Sequence, residues 1–270
     1  MCRLLVFACR PGKVDLLLGL ADALVEASRS DPLLAEASGA TSHGDGWGYA
    51  IAALGDEGLA VRHYVSARPI WLEADRLRAA VEELKAYRGA VGVVHARRAG
   101  KEGPRGGEHS HPYGYRVEGA LMFFAHNGGM DKASLASRLG LSDLSKVTDS
   151  YLAGLMLARL MERGLSVEEA YRELAPYTKT ALDTGLILAA TGRLEAYASA
   201  HVASGLSEAR LRYYEVHYAE DEGVAAAMSS TVSMVARGRG VVEARPAEWG
   251  SLLRLSVDGG VEVAPLRGGP

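Results

Sequence analysis

A cysteine at position 2 is one methionine removal away from standing at the N-terminus with both a thiol and a free α-amine. An α-amine titrates near ~7.7 and an ordinary thiol near ~8.5, so the amine can take the thiol's proton near neutral pH. One residue then supplies nucleophile and general base. The alternative is a small apolar residue opening a strand. A second candidate is the run His126-Asn127-Gly128-Gly129. Asn-Gly between apolar segments reads as a tight hairpin turn. Equally, an Asn carboxamide N–H and the next backbone N–H can converge on one point, which a tetrahedral oxyanion requires. The chain has no Gln and no other Asn, and Asn-Gly is prone to deamidation, so keeping this one favours use. Arg97 ends an apolar run beside a Gly-rich segment, where its planar fork suits bidentate capture of a carboxylate or a structural ion pair. Asp149 opens an apolar helical pattern, as an N-cap or first-turn acid or as a partner for a substrate ammonium.

These residues need elements to hold them. Arg3 to Cys9 reads as a strand, followed by an amphipathic helix from Val14 to Ser28 with Leu16, Leu17, Leu20 and Leu24 at helical spacing. Ser38 to Asp45 is a loop, and Trp47 to Leu54 and Leu59 to Ser66 read as paired strands. Leu72 to Tyr87 is a second helix, Ala90 to Arg97 a buried strand, and Ala99 to Glu108 a mobile Gly-rich stretch. Leu121 to Ala125 is a short strand ending at His126. Asp149 to Arg163 and Ser166 to Leu174 are helices; strands follow at Gly185–Ala190, Leu194–Ala200, Leu211–Tyr218, Val224–Met228, Val241–Ala244 and Leu252–Val257. Strands come in runs, and so do helices, which predicts an α+β fold of antiparallel sheets covered by helices. With no repeat, linker or low-complexity tract, residues 1–270 read as one domain.

Composition narrows the function. A net charge of −3 gives no electrostatic case for nucleic acid. No apolar run reaches the roughly 18 residues of a membrane helix, and Arg10 cuts the opening run too early for a signal peptide. A cytoplasmic protein is expected. The two cysteines, at 2 and 9, lie about 23 Å apart on an extended strand at roughly 3.3 Å per residue, too far for a disulfide. His109-Ser110-His111 and the other histidines lack zinc-motif spacing, so no metal and no cofactor are expected.

The order of the motifs carries more than any one of them. Met1-Cys2-Arg3-Leu4-Leu5, His43-Gly44-Asp45-Gly46-Trp47-Gly48-Tyr49-Ala50, His95-Ala96-Arg97, Ser110-His111-Pro112-Tyr113, Phe124-Ala125-His126-Asn127-Gly128 and Thr148-Asp149-Ser150 follow one another as in a class II glutamine amidotransferase. The series most resembles the small stand-alone members that begin Met-Cys-Arg-Leu. The resemblance implies the N-terminal nucleophile hydrolase fold, a four-layer αββα sandwich. It implies Cys2 as nucleophile with its amine as base, and Asn127 and Gly128 as the oxyanion hole. It further implies Arg97 on the α-carboxylate of glutamine, Asp149 on its α-ammonium, and His95 and His111 in support of the pocket. Two stretches depart from the family pattern: Arg98-Ala99-Gly100 replaces Trp-Ala-Thr, and Ser229-Ser230-Thr231 replaces Ser-Glu-Pro. The length leaves no second domain to consume ammonia, so the expected partner is a separate acceptor subunit. The alternatives are hydrolysis of a γ-glutamyl amide by the same residues, or a non-catalytic binding module.

Overall fold

The computed structural model describes residues 2–100, 103–145 and 147–266. The chain opens with β1 (Arg3–Cys9), α1 (Val14–Arg29), α2 (Pro32–Ser38), β2 (Trp47–Gly55) and β3 (Gly58–Ser66). Next come α3 (Ala74–Glu82), β4 (Gly89–Ala96), β5 (Tyr113–Val117), β6 (Ala120–Met130), α4 (Lys132–Leu139), α5 (Asp149–Met161) and α6 (Val167–Leu174). The remainder holds β7 (Thr178–Ala190), β8 (Arg193–Ala200), α7 (Glu208–Tyr214), β9 (Val216–Asp221), β10 (Val224–Ser229), α8 (Ser230–Gly238), β11 (Arg245–Pro246), β12 (Ser251–Leu255) and β13 (Val261–Pro265).

Two antiparallel sheets form, in the orders β11-β9-β10-β1-β4-β2-β3 and β13-β12-β8-β7-β6-β5. The period-2 alternation of strand side chains decides the layering. On β1, Leu5, Phe7 and Cys9 pack with α1, α3 and α8, whereas Leu4, Val6 and Ala8 face the second sheet. On the far side, Met122, Phe124, Leu182, Leu186 and Leu188 pack against α4, α5 and α6. Small residues dominate the sheet–sheet seam, among them Ala50, Ala52, Ala125, Ala196, Ala198, Ala225 and Ala227. The result is the αββα sandwich that the motif series implied.

Several elements differ from the sequence reading. Leu211 to Tyr218 is not one strand: Ser207 caps a helix by accepting from the Arg210 N–H, and only from Val216 does the chain extend. Tyr213 and Tyr214 look β-forming, but they are buried beside Leu34 of α2, and that contact overrides propensity. Val241–Ala244 forms no strand. β6 does not stop at Ala125; it runs through Asn127 to Met130, with its register shifting between Gly128 and Met130. The Asn-Gly pair is therefore inside a strand and not in a hairpin turn. The Gly-rich stretch after Arg97, read as mobile, is tied down in its described part: the Ala99 N–H donates to Asp45 Oδ2, and Arg105 pairs with Asp45 Oδ1. Lys101 and Glu102 lie outside the described residues.

Candidate active site

β1 and β4 pair so that Arg3 faces Ala96 and Leu4 faces His95. Alternation then puts Cys2, His95 and Arg97 on the face turned toward the second sheet. That sheet answers with β6, which carries His126, Asn127 and Gly128. The N-terminus of α5 adds Asp149, with Thr148 as the N-cap that accepts from the Tyr151 N–H. Asp149 is thus a first-turn acid. Its Oδ1 accepts from the Ser150 N–H at 2.9 Å and its Oδ2 from the Met130 N–H at 2.8 Å, which ties the helix start to the end of β6. Cys2, Arg97, His111, Gly128 and Asp149 line one cavity of about 450 Å³. Asn127 and His95 stand behind it, fully buried.

The Cys2 nitrogen donates to Asn127 Oδ1 at 2.7 Å, and the Tyr213 hydroxyl donates to the Cys2 carbonyl at 2.9 Å. The two cysteines are free, and their surroundings drive them apart. Burial pushes the Cys9 thiol up to about 12. Burial also works against the Cys2 thiolate, but with Met1 in place the positive charge of the α-amine at residue 1 and the charge and hydrogen bonding of His95 outweigh it. The Cys2 thiol is held well below its ordinary value.

The imidazoles are ordered by their partners. His126 Nε2 lies 3.0 Å from the Ala181 carbonyl, which can only accept, so His126 Nδ1 accepts from Ser150 Oγ at 2.9 Å. His95 Nε2 faces both the His126 carbonyl at 3.3 Å and His111 Nδ1 at 3.0 Å, so it is the protonated nitrogen. His95 Nδ1 is buried and has no hydrogen-bond partner among the described residues. Burial holds His111 well below its usual value and His126 below it as well. Arg97 donates from Nη2 to the Pro104 carbonyl at 2.7 Å, while its buried Nη1 has no partner among the described residues. Arg97 also lines the cavity, where a planar guanidinium suits a carboxylate. Arg98 turns aside to donate to the Ser42 carbonyl.

Sequence reasoning missed a buried layer under Cys2. Arg3 Nε donates to Asp31 Oδ2 at 2.5 Å, His43 Nε2 lies 2.8 Å from the same oxygen, and Thr231 Oγ1 donates to Asp31 Oδ1 at 2.7 Å. Burial opposes ionisation of Asp31, but the His43 contact and the Arg3 charge hold its carboxyl well below the usual carboxylate range. This layer also gives Ser229-Ser230-Thr231 a physical use. Ser229 accepts from the Leu4 N–H, Ser230 donates to the Tyr213 carbonyl, and Thr231 reaches Asp31. Asp183 was missed as well. It faces Asn127 across β6 and β7 and accepts from Asn127 Nδ2 at 3.2 Å. An acid between Leu182 and Thr184 in an apolar strand was the available signal.

Gly128 is required by geometry. Its φ is +153°, and a Cβ there would run into the Ala181 carbonyl and the His126 ring. Gly128→Ala should displace the β6 backbone N–H at the cavity wall. The expected result is at least about a 10²-fold loss of turnover, since misplacing a reacting group by an ångström costs that much. Steady-state kinetics on folded variant checks it; unchanged kcat would remove this N–H from the site.

The sequence matches no family profile and no curated protein. Solved structures do match. The allosteric regulatory enzyme of purine biosynthesis superposes with a TM-score of 0.63 at 15% identity, over 98% of this chain and 49% of that one. Glutamine phosphoribosylpyrophosphate amidotransferase from B. subtilis, complexed with ADP and GMP, superposes with a TM-score of 0.61 at 14% identity, over 99% and 49%. The chain spans about half the length of these structures. Fold and motif order thus agree: the chain has the N-terminal nucleophile hydrolase fold and is similar to the class II glutamine amidotransferases.

Proposed function

We propose that the chain cleaves the side-chain amide of glutamine through a Cys2 thioester. The carrying observation is that Cys2, Arg97, Gly128 and Asp149 line one cavity. Met1 lies outside the described residues; the mechanism needs it removed, so that the Cys2 nitrogen becomes an amine. That amine takes the thiol proton, and sulfur attacks the amide carbon. The oxyanion is met by the Gly128 N–H and by an amide hydrogen of Asn127, which carries two donors, one of them held by Asp183. Collapse breaks the C–N bond, and the amine's proton leaves with ammonia. Water, deprotonated by the same amine, then splits the thioester to glutamate and free thiol.

Arg97 holds the substrate α-carboxylate and Asp149, its carboxylate already oriented by two N–H groups, holds the α-ammonium. His111 at the cavity wall and His95 behind it support the pocket. In the amidotransferase reading, ammonia passes to a separate acceptor subunit. The size of the cavity favours a second reading, a γ-glutamyl amide with a leaving group larger than ammonia, cleaved by the same residues. Ammonia release from glutamine against amine release from a γ-glutamyl anilide separates the two, with intact mass reporting Met1. Absence of both activities in protein lacking Met1 would leave only a binding module.

Arg97→Lys replaces a planar fork by a point charge. KM for glutamine should rise about tenfold or more, with a smaller change in kcat, because a carboxylate clamp acts on ground and transition states alike. Asp149→Asn should raise KM chiefly for substrates with a free α-ammonium, so an N-acylated substrate is the control. If both variants bind glutamine as the parent does, the two side chains are structural only.

A further inference from the structure

We infer that Asp183 is a positioning residue for the Asn127 carboxamide, holding one amide hydrogen so that the other stays directed at the reacting carbonyl. The inference rests on the oxyanion role proposed for Asn127. Asp183 lies on β7 directly opposite Asn127 on β6, and Asn127 Nδ2 donates to its Oδ2 at 3.2 Å. The other end of the amide is fixed too, because the Cys2 nitrogen donates to Asn127 Oδ1 at 2.7 Å. With the oxygen engaged by the nucleophile's own residue and one hydrogen by Asp183, a single amide hydrogen remains, and its direction is set by the other two contacts.

The hydrogen bonds of Asp183 do not satisfy it as a purely structural acid would be satisfied. Asp183 is 1% exposed, and its Oδ1 has no partner among the described residues. Burying a carboxyl with an oxygen unsatisfied is costly, and an apolar residue would fit a strand running through Ala181 and Leu182. Costs of this kind collect at functional sites. The charge of Arg3 on β1 acts on Asp183, and Asp183 in turn acts electrostatically on Tyr214 of α7. Burial nevertheless pushes the carboxyl well above its usual range, outweighing the Arg3 charge and the Asn127 hydrogen bond. A neutral acid accepts the amide hydrogen without setting a negative charge behind a developing oxyanion.

Composition supplies the test. Asn127 is the chain's only carboxamide, so the parent's ¹H–¹⁵N spectrum contains a single side-chain NH₂ pair. In Asp183→Ala that pair should move, and glutamine turnover per folded molecule should fall about tenfold to a hundredfold, as for a misplaced reacting group. KM should stay within about twofold, since the contact serves the transition state. Asp183→Asn, neutral and of the same shape, should keep most of the turnover. If Asp183→Ala does not fold, Asp183→Leu gives the same comparison at nearly constant volume. An unmoved NH₂ pair, or Asp183→Asn as slow as Asp183→Ala, overturns the proposal. A parent with no turnover overturns the functional reading instead, and the NH₂ response then decides whether Asp183 holds the amide.

Discussion

Cys2→Ser should lower glutamine turnover by about 10³-fold or more, because a hydroxyl is a far weaker nucleophile than a thiolate at neutral pH. The structure sharpens the contrast. Cys9 sits on the same strand with its thiol pushed up to about 12, whereas the Cys2 thiol is held well below its ordinary value. Iodoacetamide near pH 6.5 should therefore modify Cys2 alone, and turnover should fall in step with the label. A chain that keeps Met1 should still take the label, since its thiol is intact, yet should lose turnover to a similar degree. Its position-2 nitrogen is then an amide, which can donate to Asn127 but cannot accept the thiol proton. Intact mass and ammonia release on the same sample decide the matter. Full activity in a Met1-retaining protein would eliminate the amine as base and leave His95, with its unpartnered Nδ1, as the remaining acceptor beside the thiol.

The legible parts of this protein were those with a local signal. β1 ran from Arg3 to Cys9 as read, because an uninterrupted apolar run bounded by Arg10 and Pro11 has few other solutions. The strands at 47, 89 and 193 and the helices at 14, 149 and 167 followed their periodicity to within a few residues. What failed was set by tertiary contact. Short elements such as α2, α4 and β13 have too few residues for a period to show, and α7 hides two tyrosines that packing turned helical. Of the site, Cys2, Arg97, Gly128 and Asp149 met in one cavity as the motif order implied. The pairing of Asp183 with Asn127 and the Arg3–Asp31–His43 cluster were not legible because the sequence separations are large: 56 residues from Asn127 to Asp183 and 28 from Arg3 to Asp31. Only sheet register brings the first pair together, and register is not written in any single strand.

Asn127→Asp should abolish most turnover while leaving a folded protein, and the reason now involves two residues. The substitution keeps an oxygen where Asn127 Oδ1 accepts from the Cys2 nitrogen, so the nucleophile's residue stays placed. It removes the amide donors, and losing one oxyanion donor costs about 10²–10³ in rate, roughly 3–4 kcal/mol. It also sets a second carboxyl against Asp183 at what is now a 3.2 Å contact, in a site closed to water. Two acids that close cannot both ionise, so the pair shares a proton with one pKa strongly raised. The sign for stability follows. A carboxyl whose folded pKa is raised above its unfolded value stabilises fully below the unfolded pKa of about 3.9, and that contribution is lost as pH rises through the folded pKa. Asn127→Asp should therefore melt near the parent at pH 4 and progressively below it toward pH 8. Asn127→Ala loses the donor without adding a second acid, so it should be slow and show a much shallower slope, from the lost hydrogen bond to Asp183 alone. Because β6 runs straight through this position, a turn defect cannot account for either result. Kcat and melting temperature for both variants at pH 4 and pH 8 separate the cases. Parent-like kcat in Asn127→Asp would take the oxyanion role from Asn127, leaving the Gly128 N–H to hold the charge alone.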